Sequence, residues 1–245
     1  TSAQTAQEEA VLVTKPAPAS RMSGGTIEQH SSYNVLQKRI DGELPKAAWE
    51  MAQTGLARVV DFQDTTYGAE YLSRLTRIHG LDARHGGEAK NFIATTEAAK
   101  YLAAAMTYRD AIRVADLKIR ASRFNRIRLN VGAADDQIVT MTEYMHPRVE
   151  EIAEMLPKKM GKKVQDSRFL SGLFKLLFAG GKRIRTDSMR GFLTLYVLSG
   201  MRTRRPASLR HHREIYHIDG WLKTVADLLP TDYDLAVEAI RTRRL

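Results

Sequence analysis

Residues 96–129 decide the fold, with the sequence TEAAKYLAAAMTYRDAIRVADLKIRASRFNRIRL. Their apolar side chains lie at helical spacing on two faces: Leu102, Ala105, Met106, Ile112, Ala115 and Ile119 on one, and Val114, Leu117, Ala121 and Phe124 on the other. A helix that is apolar on two sides packs against neighbours on both sides. We therefore predict one long central helix, with the ion pairs Asp110–Arg113 and Asp116–Arg120 along its surface.

Shorter helical patterns precede and follow this segment. Asp64 is a suitable N-cap for a helix that ends at Gly80, and Ser208 is one for a helix that reaches Leu229. Thr231 is expected to cap the last helix. The predicted fold class is therefore all-α, an irregular multi-helix bundle around the long central helix.

Three short segments are expected to be non-helical. Ile138–Met141 is the only run with strand character. Lys158–Lys163 predicts a basic loop, and Lys182–Arg185 predicts a basic turn.

The first 43 residues differ in composition from the rest of the chain. They are rich in Ala, Thr, Ser, Gln and Gly, which favours a flexible linker, with a short helix at Ser32–Ile40. Residues 44–245 are expected to form one helical domain. Because the chain begins at Thr1 and stops at Leu245 inside a helical pattern, we expect a piece of a longer polypeptide.

Composition excludes some classes of site. The 245 residues carry a net charge of +10 and no cysteine, so disulfides and thiolate-held zinc or iron–sulfur centres are excluded here. The charge favours an anionic partner, or alternatively a solvated surface or one neutralised by another part of the protein. The strongest apolar stretch, Phe192 to Met201, is about half a membrane span long. It predicts a buried helix in a soluble, cytoplasmic protein with no membrane partner.

Basic residues near a glycine pair form the first candidate site. Gly180 and Gly181 precede a cluster that is suited to docking an anion or an acidic partner, formed by Lys182, Arg183, Arg185 and Arg190. The alternative is a helix stop followed by a solvated turn. A second basic group follows one helix later, at Arg202, Arg204 and Arg205.

Two Glu-x-x-His pairs form the second candidate, Glu143 with His146 and Glu214 with His217. Such pairs hold di-metal centres in four-helix bundles. The alternative is chance spacing, and we expect no metal in this chain. Arg109 and Arg113 would lie on one helix face, where they clamp a carboxylate or form ordinary surface ion pairs.

Six longer strings can be compared with known families: residues 55–64 (GLARVVDFQD), 71–75 (YLSRL), 106–118 (MTYRDAIRVADLK), 142–154 (TEYMHPRVEEIAE), 188–193 (SMRGFL) and 232–238 (DYDLAVE). Together they resemble the C-terminal helical region of the beta subunit of indolepyruvate:ferredoxin oxidoreductases, in the long form of that subunit, within the 2-oxoacid:acceptor oxidoreductase family. The resemblance covers about residues 44–245.

The resemblance implies an activity for a larger assembly. The complete enzyme would oxidatively decarboxylate an aryl-2-oxo acid with thiamine diphosphate and pass electrons through iron–sulfur clusters to a ferredoxin-like acceptor. Both cofactors would lie on a companion subunit, and no catalytic, cofactor-binding or metal-binding residue is carried over to this chain. The chain departs from a whole beta subunit, because the domain that precedes this region in the family is missing, and it has no Gly-Asp-Gly thiamine signature.

We therefore expect a non-catalytic helical module that helps to assemble or regulate such an oxidoreductase. Its expected partners are the thiamine- and cluster-bearing subunit, in a hetero-oligomer, and an acidic ferredoxin-like acceptor; a dimer of the chain alone stays open. One alternative is an independent basic module that binds nucleic acid or an acyl-CoA-like ligand, although aromatic residues are not interleaved with the basic segments. The other alternative is a self-contained di-metal enzyme.

Overall fold

The computed structural model describes residues 27–134, 136–145, 149–167, 169–170 and 182–242. Within these ranges the protein is all-α, as predicted, apart from one short antiparallel sheet. The chain divides into two compact units. The single helical domain over residues 44–245 stays a prediction. Unit 1 comprises the described residues up to Thr107 and from Ile218 onwards, and unit 2 is Tyr108–His217.

The described elements are eleven α-helices, two 3-10 helices and two strands. In chain order they are α1 (Ile27–Glu43), a 3-10 helix (Lys46–Ala48), α2 (Trp49–Phe62), α3 (Thr65–Arg84), α4 (Ile93–Met106), α5 (Ala111–Ile119), α6 (Ala121–Asn130), β1 (Thr142–Met145), α7 (Val149–Met155), α8 (Lys158–Asp166), β2 (Lys182–Arg185), α9 (Met189–Gly200), a 3-10 helix (Met201–Ala207), α10 (Leu209–Leu228) and α11 (Tyr233–Thr242).

Unit 1 has its core where α2, α3 and α4 pack on one another, with α1 against α3 and α11 against α4. Leu56, Tyr71 and Leu102 are fully buried there. The helices approach closely at Gly55, where a Cβ atom would lie 2.3 Å from the Tyr71 hydroxyl oxygen. That hydroxyl donates to the carbonyl oxygen of Ala99 over 2.9 Å. Helix α1 buries Ile40, and it is longer than the predicted Ser32–Ile40 helix.

The predicted long central helix is wrong, because residues 96–129 are divided among α4, α5 and α6. Thr107 ends α4, with its hydroxyl donating to the carbonyl of Ala103 over 2.8 Å. Asp110 then adopts an extended backbone, and its carboxylate accepts from the backbone N–H of Arg113 as the N-cap of α5. Arg120 is extended as well, which separates α5 from α6. The carboxylate thus satisfies the backbone of a new helix start at Ala111.

The sheet of unit 2 also differs from the prediction. Its first strand is Thr142–Met145, directly after the predicted Ile138–Met141, where Ile138 is 92% exposed. It pairs antiparallel with Lys182–Arg185, so the predicted basic turn is a strand. A β-rich run without a partner strand does not form a sheet, and pairing partners are set by the tertiary fold.

The predicted basic loop at Lys158–Lys163 is part of α8. This helix buries Gly161 and Val164, and Val164 packs with Ala153 of α7 and the partly buried Leu156. A Cβ atom at Gly161 would lie 2.4 Å from the carbonyl oxygen of Ala153. The lysines of α8 are exposed, and only a narrow apolar side of the helix packs against α7. The basic sequence therefore does not prevent helix formation.

Two of the three predicted helix N-caps are confirmed. Asp64 accepts from the backbone N–H of Tyr67, and Ser208 accepts from that of His211, so both predicted N-caps are confirmed. The predicted Thr231 cap is wrong by one residue, since Asp232 accepts from the backbone N–H of Leu235. The predicted Asp116–Arg120 ion pair is present, at 2.6 Å.

Candidate functional site

Helix α9 of unit 2 carries the candidate site. It begins at Ser188, whose hydroxyl accepts from the backbone N–H of Gly191 over 3.2 Å. The helix packs on α5, and its inner side buries Gly191 and Leu195. Leu198 is half-buried, whereas the remaining large apolar residues of α9 are exposed.

Those remaining residues form the α9 stripe, which we define as Met189, Phe192, Leu193, Tyr196 and Val197. Their spacing of three and four residues puts them on one face of the helix. Their exposed fractions run from 36% at Phe192 to 82% at Met189. The prediction of a buried helix at Phe192–Met201 is therefore wrong for this face. Exposed apolar faces are often where a protein is contacted by another molecule, so this face is the candidate site.

Exposed positive charge accompanies the stripe in the sequence. Arg190 lies in the first turn of α9 and Arg204 in the 3-10 helix that follows it, and both are exposed. Neither forms an ion pair with another residue that the structure describes. Residues 188–207 contain no Asp or Glu. The segment that carries the stripe is therefore basic and has no carboxylate of its own.

The four predicted docking residues do not form a single cationic cluster. Lys182 and Arg183 lie in β2, but their side chains are outside the described part of the chain. Arg185 donates from Nη2 to Asp187 Oδ2 over 2.6 Å, and this bond holds the pKa of the Asp187 carboxyl below its ordinary value. The side chains of Arg185 and Arg190 are the two described members of the predicted cluster. Of these two, only Arg190 has no carboxylate beside it among the described residues.

Arg185 and Arg190 do meet at one groove, about 350 Å³ in volume, at the N-terminal end of α9. It is lined by Ile184, Arg185, Ser188, Arg190, Gly191 and Thr194. The Ser188 hydroxyl is already engaged, since it donates to the Arg185 carbonyl and caps the helix. Because Asp187 neutralises the charge of Arg185, the groove should attract an anion less strongly than the sequence predicts. Gly180 and Gly181 lie outside the described residues.

The second basic group is also divided. Arg205 is 1% exposed and pairs with Asp110, so it is not available for docking. Arg202 is half-buried, and Arg204 is exposed. Proximity in sequence predicted a shared surface here, whereas a 3-10 helix points successive side chains in different directions.

The two Glu-x-x-His pairs do not form a metal centre in the described residues. Glu143 is engaged by Lys118 and Arg123, which outweigh the effect of burial and hold the pKa of its carboxyl below the ordinary value. Glu214 is engaged by Arg210 over 2.6 Å. His146 lies outside the described residues. Within the described ranges, no three His, Asp or Glu side chains converge on a point that could hold a metal ion.

The predicted clamp of Arg109 and Arg113 is not formed as expected, because Arg109 precedes α5 and lies outside any helix. Arg113 donates from Nη1 to Asp116 over 2.9 Å. The helical spacing on which the clamp depended is therefore broken at Asp110.

A buried carboxylate in unit 1 was missed from the sequence. Asp82 is fully buried on the last turn of α3, which runs to Arg84 and does not end at Gly80 as predicted. Its Oδ2 accepts from the backbone N–H and the hydroxyl of Thr95, at 2.9 and 2.6 Å. Its Oδ1 accepts from the hydroxyl of Tyr233 over 2.8 Å. The carboxylate thus joins α3, α4 and α11, which is a structural role.

The backbone beside Asp82 is strained. Asn91 and Phe92 have positive φ angles of 51° and 52°, a backbone region that residues other than glycine rarely adopt. The Phe92 ring contacts His79 edge-on, with ring centroids 5.3 Å apart. Burial lowers the pKa of His79 from its ordinary value, although the charge of Asp82 acts in the opposite direction.

Within the described residues the protein is all-α, and one face of α9 is apolar and exposed. The chain belongs to a family of unknown function, DUF6537, whose model matches residues 48–245. No curated protein and no solved structure matches the chain. Among the helices described, none combines the length and the apolar character that crossing a membrane requires.

Proposed function

We propose that this chain is a non-catalytic helical module that assembles or regulates an indolepyruvate (aryl-2-oxoacid):ferredoxin oxidoreductase. The observation that carries the proposal is the α9 stripe. Five large apolar side chains on one helix face cost free energy in water, and a partner that covers them recovers it. A module of this kind contributes a surface to the complex and leaves the chemistry to another subunit.

The oxidoreductase part of the proposal is supported by the sequence resemblance. The six resembling strings fall between residues 55 and 238, inside the 48–245 match to the DUF6537 family. That family is described without an activity, so the reaction comes from the resemblance alone. In the complete enzyme, the aryl-2-oxo acid would lose carbon dioxide and its electrons would pass to a ferredoxin-like acceptor.

The residues of this chain do not fit the cofactors of that reaction. An iron–sulfur cluster needs thiolate ligands, and the sequence has no cysteine. For thiamine diphosphate, the sequence has no Gly-Asp-Gly signature, and no three His, Asp or Glu side chains converge among the described residues. We therefore propose that both cofactors lie on a companion subunit, in a cytoplasmic hetero-oligomer, and we derive no catalytic step for this chain.

Co-expression with the thiamine-bearing subunit tests the assembly role. The wild-type chain should co-elute with that subunit in gel filtration, and Leu193→Ser should reduce the retained fraction by at least tenfold. Leu235→Ser is the matched control, because Leu235 is exposed to a similar extent, 51% against 54%, on a different helix. No co-elution of the wild-type chain, or equal loss with both variants, would contradict the proposal.

The chain alone should not decarboxylate indolepyruvate when thiamine diphosphate is added, because its sequence has no Gly-Asp-Gly thiamine signature. Turnover by the purified chain, free of other subunits, would refute the non-catalytic role. Steeply salt-dependent binding of nucleic acid or an acyl-CoA would instead favour the independent anion-binding module, for which the groove beside Arg190 is the available site.

A further inference from the structure

The spacing of the α9 stripe matches the way one helix binds another. Residues at i, i+3, i+4, i+7 and i+8 form the ridge that a second amphipathic element packs against. From Met189 to Val197 the ridge extends about 12 Å at roughly 1.5 Å per residue. This length is suited to two to three turns of a partner helix.

The stripe is also organised before any partner binds. Leu195, on the opposite side of α9, is fully buried and holds the helix on α5. The rings of Phe192 and Tyr196 stack on each other, with centroids 6.2 Å apart and planes inclined by 18°. Rigid aromatic groups lose little conformational entropy on binding and often dominate the binding energy.

Charge distinguishes between the possible occupants. A second copy of α9 would bring two basic segments together, since residues 188–207 carry arginines and no carboxylate. Like charges at an interface disfavour association. A partner with carboxylates beside its apolar ridge would instead be complementary to the exposed guanidinium groups of Arg190 and Arg204.

We infer that the α9 stripe binds an amphipathic helix of another protein, with an apolar ridge flanked by acidic residues. This inference rests on the proposed assembly function and adds the chemistry of the partner surface. The apolar ridge supplies the burial, and the carboxylates complement the positive charge of Arg190 and Arg204. Neither arginine touches an acidic residue of the described chain, so both remain open to the partner.

Three synthetic helical peptides provide the probes. Each has the same leucine ridge, and the ridge ends carry glutamate in the first, glutamine in the second and lysine in the third. We expect the glutamate peptide to bind at least tenfold more tightly than the lysine peptide in fluorescence anisotropy at low salt. Raising the salt to about 0.5 M should narrow that difference, because exposed charges are then screened over a few ångströms.

Matched variants assign the binding to α9. Combined Arg190→Glu and Arg204→Glu should reverse the order of the glutamate and lysine peptides, whereas Arg126→Glu, on an exposed arginine of α6, should keep it. Leu193→Ser should weaken all three peptides at least tenfold, and Leu235→Ser should weaken none. Equal binding of the acidic and basic peptides, or insensitivity to Leu193→Ser, would overturn the inference. So would a dimer in sedimentation that Leu193→Ser dissociates, since a second copy would then be the occupant.

The outcome is separable from that of the proposed function. If the Arg190→Glu, Arg204→Glu variant still retains the thiamine-bearing subunit, the acidic partner is rejected and the assembly role is kept. Selective binding of the glutamate peptide, together with failure of the wild-type chain to retain that subunit, would reject the oxidoreductase complex and keep the acidic partner.

Discussion

Arg205 and Asp110 form a buried bidentate ion pair, although 95 positions separate them in sequence. Nε of Arg205 donates to Oδ2 over 2.7 Å, and Nη2 donates to Oδ1 over 3.3 Å. The side chains are 1% and 8% exposed. Because the same carboxylate caps α5, one residue both starts that helix and anchors the 3-10 helix that follows α9.

Asp110→Asn separates the two roles of this carboxylate. Asparagine keeps the N-cap but loses the negative charge that faces the buried guanidinium of Arg205, so the free energy of unfolding should decrease by about 3 kcal/mol. Asp110→Ala should cost about 1 kcal/mol more, because the cap is lost as well. Urea unfolding followed by circular dichroism measures both.

An exposed ion pair is the control for this comparison. Lys223 and Asp227 are 76% and 63% exposed, so Asp227→Asn should change the free energy of unfolding by less than about 0.5 kcal/mol. An Asp110→Asn variant as stable as Asp227→Asn would show that the buried pair contributes nothing beyond its cap.

The Asp82 cluster yields a second stability prediction. Tyr233→Phe removes one donor to a fully buried carboxylate and should lower the free energy of unfolding by about 1–3 kcal/mol. Tyr216→Phe is the matched change on a 78% exposed tyrosine and should be nearly neutral. The urea concentrations at the midpoints of unfolding compare the stabilities of the two variants. Equal midpoints would contradict the role given to Tyr233.

The two clusters show how far the sequence allowed prediction. The all-α class and the N-caps at Asp64 and Ser208 depend on local patterns, and the structure confirms them. Arg205 and Asp82 depend on partners 95 and 151 positions away, which no local pattern reveals. The sequence therefore placed Arg205 in a basic group of arginines and Asp82 beyond the predicted helix end at Gly80.

The same limit applies to the candidate site. The apolar run from Phe192 to Met201 was evident, but hydrophobicity alone predicts burial. A sequence signal for two faces was present, since Leu195 lies between Leu193 and Tyr196 and residues of both faces are apolar. Deciding which face packs on α5 and which remains exposed required the tertiary structure.

His79 gives a prediction for pH dependence. Because burial lowers its pKa in the folded state, the unfolded chain binds more protons once the pH falls below about 6.5. The free energy of unfolding should therefore decrease on acidification from about pH 6.5 and level off below the folded pKa. In His79→Gln this contribution should be missing, so the difference between wild type and variant should change between pH 7.5 and 5.5. An NMR titration midpoint of the His79 imidazole at or above about 6.5 would contradict the sign.

Gly191 and Gly200, in the first and last turns of α9, should respond in opposite ways to the same substitution. A Cβ atom at Gly191 would lie 1.9 Å from the carbonyl oxygen of Arg185, a backbone atom that can yield only if β2 and α9 move apart. Gly191→Ala should therefore lower the free energy of unfolding by about 1–3 kcal/mol, as overpacking does. Nothing lies within 4 Å of a Cβ atom at Gly200, and its backbone is helical. Gly200→Ala should accordingly raise the free energy of unfolding by about 0.4–1 kcal/mol, because the unfolded chain loses freedom. Urea unfolding of both variants is the measurement, and a Gly191→Ala variant as stable as Gly200→Ala would show that β2 and α9 are not held at this separation.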